Sequence, residues 1–314
     1  MNIHNPIQPF LETQGFLVVD GGLASELEHA GYDLADSLWS ARLLLEAPDA
    51  ITDVHREYLE AGADCIISAS YQATIEGFVA RGSTEPGAEA LLRNAVRLAI
   101  EARDHFWADP KNREDRLKPL VAASIGPYGA YLANGAEFTG DYDLDENGLL
   151  EFHRRRWEVL CSTDADLLAC ETIPSAEEAR ALARLLTETP DRHAWFSFSC
   201  RDGEHINDGT PIAQCVGDLA STPRVVAVGV NCTAPAHITS LVEEIDRVTD
   251  IPIVVYPNSG EIWDPDRKEW TGAADPIAFA LAGRGWYEAG ARLLGGCCRT
   301  RPEEIRRLCE ALPH

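Results

Sequence analysis

Near the C-terminus two glycines precede two cysteines, in the run Leu294-Gly295-Gly296-Cys297-Cys298-Arg299-Thr300. Ala291 to Leu294 reads as a short strand. Pro302 to Leu312 reads as a helix, with Thr300 as its N-cap and Pro302 in its first turn. Neighbouring side chains on an extended strand point to opposite faces. The pair can serve one site only if the backbone leaves that geometry, and Gly295 and Gly296 give it the freedom to do so. A third thiol, Cys232, follows another apolar run, Val225 to Val230. Three thiolates are a soft donor set suited to Zn²⁺. A zinc with three protein ligands keeps one position open, the arrangement of catalytic rather than structural sites. That position favours a soft ligand, most naturally a thiol, which loses its proton on coordination. A thiolate held in place is a nucleophile, so the chemistry expected is alkyl transfer to sulfur.

Two acids sit in comparable positions. Asp20 ends the apolar run Phe16 to Val19 and is followed by Gly21 and Gly22; Glu171 ends the run Asp166 to Cys170. Either acid could simply cap the helix that follows it. As a pair they could instead bind the ammonium of an amino-acid substrate, with the N–H groups of Gly21 and Gly22 receiving its carboxylate. The other cysteines read as packing: Cys65, Cys170 and Cys200 in or beside strands, Cys161, Cys215 and Cys309 on helices. The histidines show no H-E-x-x-H spacing and no G-x-S-x-G elbow is present, so the histidines are given no role.

These residues need a scaffold that brings strand ends together. The 314 residues contain eight apolar strand segments, each followed by a helical pattern. The strands are apolar throughout rather than alternating, as parallel strands buried on both faces are. Eight such units in one chain of this length predict an α/β fold, a single-domain (β/α)8 TIM barrel over residues 1–314. The open doubly wound sheet is the alternative, but no G-x-G-x-x-G follows the first strand. In a barrel, Asp20, Glu171, Cys232, Cys297 and Cys298 all face the mouth at the C-terminal strand ends. A long loop after the third strand carries Tyr128, Tyr131, Phe138 and Tyr142, with Glu137 and Asp141 beside them. Its rings either pack on one another or face a cationic ligand over that mouth.

The net charge of −24, from 51 acidic and 27 basic residues, argues against nucleic acid or an anionic membrane as partner. The nine cysteines are scattered, and the N-terminus shows neither a basic region nor an apolar one of the kind that opens a signal peptide. No apolar run approaches the roughly 20 residues of a membrane-spanning helix. A cytoplasmic protein with reduced thiols is expected.

Gly229-Val230-Asn231-Cys232 and Gly295-Gly296-Cys297-Cys298-Arg299 resemble the paired motifs of the homocysteine S-methyltransferase family. So do Asp20-Gly21-Gly22, Leu34 to Ser40, Ser68 to Thr74, Gly126 to Tyr131, Glu171-Thr172 and Val255 to Glu261, in order along the chain. The longer runs resemble members that use S-methylmethionine or S-adenosylmethionine as methyl donor, more than betaine-dependent members. The resemblance implies a zinc-dependent barrel that methylates homocysteine to methionine. It implies Cys232, Cys297 and Cys298 as zinc ligands and catalytic residues, and Asp20, Gly21, Gly22, Glu171 and Asn231 as the substrate-binding set. Tyr71 matches a tyrosine that betaine users carry near the metal. Partners are then small molecules only, homocysteine and a sulfonium, with a monomer or small homo-oligomer expected. Two rivals remain at this stage: a betaine- or selenocysteine-directed methyltransferase of the same fold, and a redox sensor built on the vicinal thiols.

Overall fold

Eight parallel strands form one sheet in the computed structural model, which describes residues 4–34, 42–264, 269–271 and 274–313. The strands are β1 (Leu17–Val18), β2 (Cys65–Ile67), β3 (Leu120–Ile125), β4 (Leu167–Ile173), β5 (Ala194–Phe198), β6 (Val225–Asn231), β7 (Ile253–Tyr256) and β8 (Ala291–Leu294). Each hydrogen-bonds its neighbour in chain order from β2 to β8, and β8 pairs in turn with β1. One parallel bridge, Val19 to Cys65, joins β1 to β2 and closes the ring. The expected (β/α)8 barrel is the fold.

Why these segments make a barrel follows from which face each residue presents. Along every strand alternate side chains point to opposite faces. One set, including Leu17, Val19, Leu120, Ala122, Leu167, Ala169, Trp195, Val254 and Leu293, fills the barrel interior. The intervening set, including Val18, Ile66, Val121, Leu168, Phe196, Val228, Val255 and Leu294, packs outward against the helices. Both faces are therefore dry, which is why no polar alternation was legible in the strands. An N-terminal helix, Gln8–Thr13, was not foreseen. It brings Phe10, with Ile7 before it, into contact with the interior cluster.

Several boundaries and caps differ from the sequence reading. One long helix, Glu85–Ala108, is started by Thr84, whose side chain accepts the N–H of Gly87 at 3.2 Å. A short helix, Ile75–Ala80, capped by Thr74, and an antiparallel hairpin, Ile262–Asp264 with Glu269–Thr271, are additional. Ser175 occupies the N-cap position of the helix Ala176–Glu188 without capping it; Asp208 accepts the Ala176 N–H instead, at 2.9 Å. Thr300 does not cap the last helix, Pro302–Ala311. That N-cap is Arg301, whose N–H is accepted by Glu304 at 3.0 Å, because the Thr300 hydroxyl is occupied in the cysteine turn. The motif residues 35–40 lie outside the described residues.

Candidate metal centre and substrate site

The interior changes character toward the C-terminal end of the strands. Two residues beyond the last interior apolar side chain stand Ser124 on β3, Glu171 on β4, Ser197 on β5 and Tyr256 on β7. Asn231 ends β6, and Cys297 follows β8. These residues join in one buried network. Ser124 donates to one oxygen of Glu171, and the Tyr256 hydroxyl donates to the other at 3.2 Å. Trp195 Nε1 donates to the Tyr256 oxygen at 3.1 Å, and the Ser197 and Tyr256 hydroxyls lie 2.5 Å apart. Ser197 donates to Asn231 Oδ1 at 2.8 Å.

Asn231 is saturated by the protein itself. Its Oδ1 also accepts the Thr172 N–H at 2.7 Å, and its Nδ2 donates to Thr172 Oγ1 at 2.7 Å and to Cys297 Sγ at 3.9 Å. Both lone pairs and both amide hydrogens are thus committed. Its geometry is that of a residue that orients Thr172 and Cys297.

Cys232, Cys297 and Cys298 converge, with their sulfur atoms all within 4.8 Å of one another and Cys232 to Cys298 at 3.5 Å. All three are free thiols. Tetrahedral zinc with Zn–S bonds of about 2.3 Å separates its sulfurs by about 3.8 Å, so the donor set and its spacing fit a zinc ion. The three thiols share charge unevenly. Hydrogen bonds from Cys232 and Cys297 hold Cys298 well below the ordinary thiol range, while the same bonding pushes Cys232 well above it.

The chain reaches this arrangement through strain at non-glycine residues. Cys232 has φ +48°, Arg299 φ +65° and Thr172 φ +59°. Such backbone persists only where the surroundings enforce it, and it clusters at functional sites. Here Cys297 to Thr300 form a turn, Thr300 N–H to Cys297 O at 3.1 Å, with the positive φ at its third residue. Ser25 Oγ accepts the Arg299 N–H at 2.8 Å, and Glu261 binds its guanidinium at 2.9 Å. Gly295 and Gly296 play a different part from the one expected. Neither has a positive φ; a Cβ on Gly295 would stand 2.7 Å from the Val19 carbonyl oxygen, and one on Gly296 would collide with the Thr300 side chain. Gly295 is small because β8 passes close to β1, and Gly296 because the turn folds Thr300 back onto it.

Asp20 and Glu171 reach the same mouth. Asp20 is 1% exposed and its carboxylate accepts the Ile67 N–H at 2.8 Å. Burial pushes its carboxyl well above the ordinary range, the Ile67 bond opposes this, and Glu171 and Cys297 add to it. A break in the β4–β5 register between Cys170 and Ile173 accompanies the Glu171–Thr172 kink. Burial pushes Glu171 up to about 7, with the Ser124 bond opposing and Cys297 adding. Among the described residues neither acid has a basic partner. Two desolvated carboxyls without a cation are the pattern of a site completed by a cationic ligand.

The glycines beside Asp20 do not both serve as expected. The Gly22 N–H is spent on Thr300, on the carbonyl at 3.0 Å and the hydroxyl at 3.2 Å. Gly21 packs against Tyr58, whose ring a Cβ would meet at 2.7 Å. The loop after β3 folds into a short helix, Tyr128–Leu132, and a 3-10 turn, Ala136–Phe138. Tyr128 packs on Tyr131, Tyr142 and Phe152 with ring centroids 4.8 to 6.0 Å apart, so these rings face one another; Phe138 is 54% exposed. Ser124 and Ser197 were missed by the sequence reading, and Thr172 and Tyr256 entered it only as motif residues. For Ser124, Ser197 and Tyr256 the available signal was a hydroxyl two residues past the last interior apolar residue of a strand; Thr172 carried none.

The profile of the homocysteine S-methyltransferase family matches residues 17–312. The homocysteine S-methyltransferase YbgG of Bacillus subtilis is 53% identical over 97% of this chain and 96% of its own length. The selenocysteine Se-methyltransferase of Brassica oleracea var. italica is 49% identical over 96% of this chain and 90% of its own. The crystal structure of the homocysteine methyltransferase MmuM from Escherichia coli, metallated form, superposes with a TM-score of 0.87 at 47% identity, covering 97% of this chain and 99% of that one. Three converging thiols, two buried acids and the barrel that carries them thus come with full-length likeness, and the chain belongs to the homocysteine S-methyltransferase family.

Proposed function

We propose that this chain, as one homocysteine-binding barrel domain over residues 1–314, transfers a methyl group from a sulfonium donor to the sulfur of homocysteine, forming methionine. The donor is S-methylmethionine or S-adenosylmethionine. The observation that carries this reading is the convergence of three thiols on a mouth that also holds two buried, cation-free carboxyls. Cys232, Cys297 and Cys298 would hold zinc, which when bound keeps the acceptor sulfur as its thiolate at neutral pH. Asp20 and Glu171 bind the acceptor's ammonium through charge-assisted hydrogen bonds and so orient its side chain toward the thiols. The Gly21 N–H remains as a donor for the acceptor's carboxylate. Asn231 positions Cys297 and Thr172 rather than touching substrate.

The partners are small molecules; no helix of the described residues is long and apolar enough to cross a membrane, and the net charge of −24 repels nucleic acid. We infer a cytoplasmic enzyme, monomeric or a small homo-oligomer. The likeness to a selenocysteine Se-methyltransferase supports a selenol as second acceptor. The test is product formation with homocysteine or selenocysteine against S-methylmethionine, S-adenosylmethionine and betaine, with metal content measured on the same protein. Absence of bound zinc from active enzyme, or turnover with betaine alone, would refute the reading.

A further inference from the structure

Two buried acceptor atoms without a hydrogen-bond partner lie on loops over the mouth: Gln72 Oε1 and Glu137 Oε2. They belong to one wall. Gln72 Nε2 donates to the Ala130 carbonyl at 3.2 Å, inside the helix Tyr128–Leu132. The Glu137 backbone lies directly against Gly129 of that helix, where any Cβ would overlap it, and its carbonyl accepts from Ser199 Oγ at 3.4 Å. Tyr71, next to Gln72 in the chain, has its ring against Gly126 and its phenol in the field of Cys232, Glu137 and Glu171. Arg156 fixes this wall from outside, donating to the Tyr71 carbonyl at 3.4 Å and the Gly126 carbonyl at 2.5 Å. This wall, which comes near Cys232 through Tyr71, therefore presents two unpaired acceptor atoms, one of them a carboxylate oxygen, and no ion pair engages Glu137 among the described residues. Buried acceptors of this kind need a donor from elsewhere.

We propose that Glu137, flanked by Gln72, binds the α-ammonium of an amino-acid sulfonium donor and so aims its methyl group at the acceptor sulfur; this rests on the sulfonium-to-homocysteine reading above. In the transfer the donor's S–CH₃ bond breaks and its electron pair stays on the donor sulfur, leaving a neutral thioether. The acceptor thiolate sulfur forms the new S–CH₃ bond, and the proton its thiol gave up has gone to solvent. The sulfonium charge vanishes in this step, whereas the ammonium charge does not. A carboxylate beside the sulfonium would hold the ground state better than the transition state; beside the ammonium it holds both equally. Two amino acids meet in this site, and it offers two carboxylate stations: Asp20 with Glu171 for the acceptor, Glu137 for the donor.

Uniform binding predicts a split in the kinetic constants. With S-methylmethionine, Glu137→Gln should raise the donor KM about 10- to 100-fold, as loss of a hydrogen bond to a charged group does, and leave kcat and the homocysteine KM unchanged. With 4-(dimethylsulfonio)butanoate, which lacks the ammonium, variant and parent should be equal, whether it is read as donor or as competitive inhibitor. Gln72→Met should give a smaller rise of the same kind and tests the wall independently should Glu137→Gln misfold. Equal losses with both sulfonium compounds, a raised homocysteine KM, or no change in either variant would overturn the proposal. Failure of the parent protein to methylate homocysteine from any sulfonium would instead overturn the underlying reading, and this inference with it, without recourse to a variant.

Discussion

Glu171→Gln should weaken acceptor binding and, above neutral pH, stabilise the ligand-free protein. Glu171 has lost its water, accepts from Ser124 and Tyr256, and sits at about 7 rather than 4.5. The folded-state value is raised, so burying the carboxyl costs nothing below pH 4.5. The cost grows through the window from 4.5 to 7 and is complete above it. Linkage between those two values gives about 1 kcal/mol of penalty at pH 5 and about 3 kcal/mol at pH 8. Gln has no proton to lose, so its cost of re-pairing the two hydroxyls is the same at both pH values. The stability difference, variant minus parent, should therefore move by about 2 kcal/mol in the variant's favour from pH 5 to pH 8. Denaturant unfolding of both proteins at the two pH values, with equal metal content, measures it. Homocysteine affinity, read by calorimetry at pH 8, should fall by about 1.5–3 kcal/mol over the same substitution. A pH-independent stability difference would refute the account of Glu171 as a strained charge awaiting a cation. An unchanged homocysteine affinity would refute its role in the acceptor site.

Changing Cys232, Cys297 or Cys298 singly to Ala should abolish methyl transfer and reduce zinc from about one per chain to near zero, with far-ultraviolet circular dichroism unchanged; full activity in Cys298→Ala would refute the ligand set. Asn231→Ala removes the partner of Ser197 and of both the N–H and hydroxyl of Thr172, and should cost about 3–4 kcal/mol in denaturant unfolding; a loss below about 1 kcal/mol would mean that the network is not what holds Thr172 at its positive φ. Gly295→Ala puts a methyl 2.7 Å from the Val19 carbonyl oxygen and 2.8 Å from that of Asp20. Backbone stands on that side, so the variant should lose at least about 2 kcal/mol and its zinc affinity together; a variant with native stability would contradict the close β1–β8 approach.

What the sequence disclosed here depended on contrast. Asp20, Glu171, Cys232, Cys297 and Cys298 each end an apolar run, and a residue that can carry charge or bind metal stands out against one. Ser124 and Ser197 do not: a single hydroxyl in a strand reads as filler until the strands are wrapped into a ring and the hydroxyl meets Glu171 or Asn231. The positive φ of Thr172, Cys232 and Arg299 was illegible for another reason, since a β-branched residue, a thiol and an arginine carry no mark of left-handed backbone. Tertiary contacts such as Thr172 N–H to Asn231 hold them there. Gly295 and Gly296 were conspicuous, yet the reason for the first lay in the neighbouring strand and for the second in the Thr300 side chain folded back over it. The self-packing of Tyr128 depended on Phe152, 24 residues further along the chain and beyond any local pattern.

The ring's seam has a consequence for access. β1 contributes two residues to its pairing with β8, and one bridge, Val19 to Cys65, ties it to β2. Everywhere else three or more register pairs hold neighbouring strands. A barrel breathes where its pairing is thinnest. That place is also where Asp20 meets the Ile67 N–H and where the Asp20 carbonyl accepts from Gly296, one residue before the first of the paired thiols. An acceptor ammonium on Asp20 would add a tie at this thin join, and an ion across Cys232 and Cys298 would brace the strand ends beside it, so the loaded protein should be a tighter hoop than the empty one.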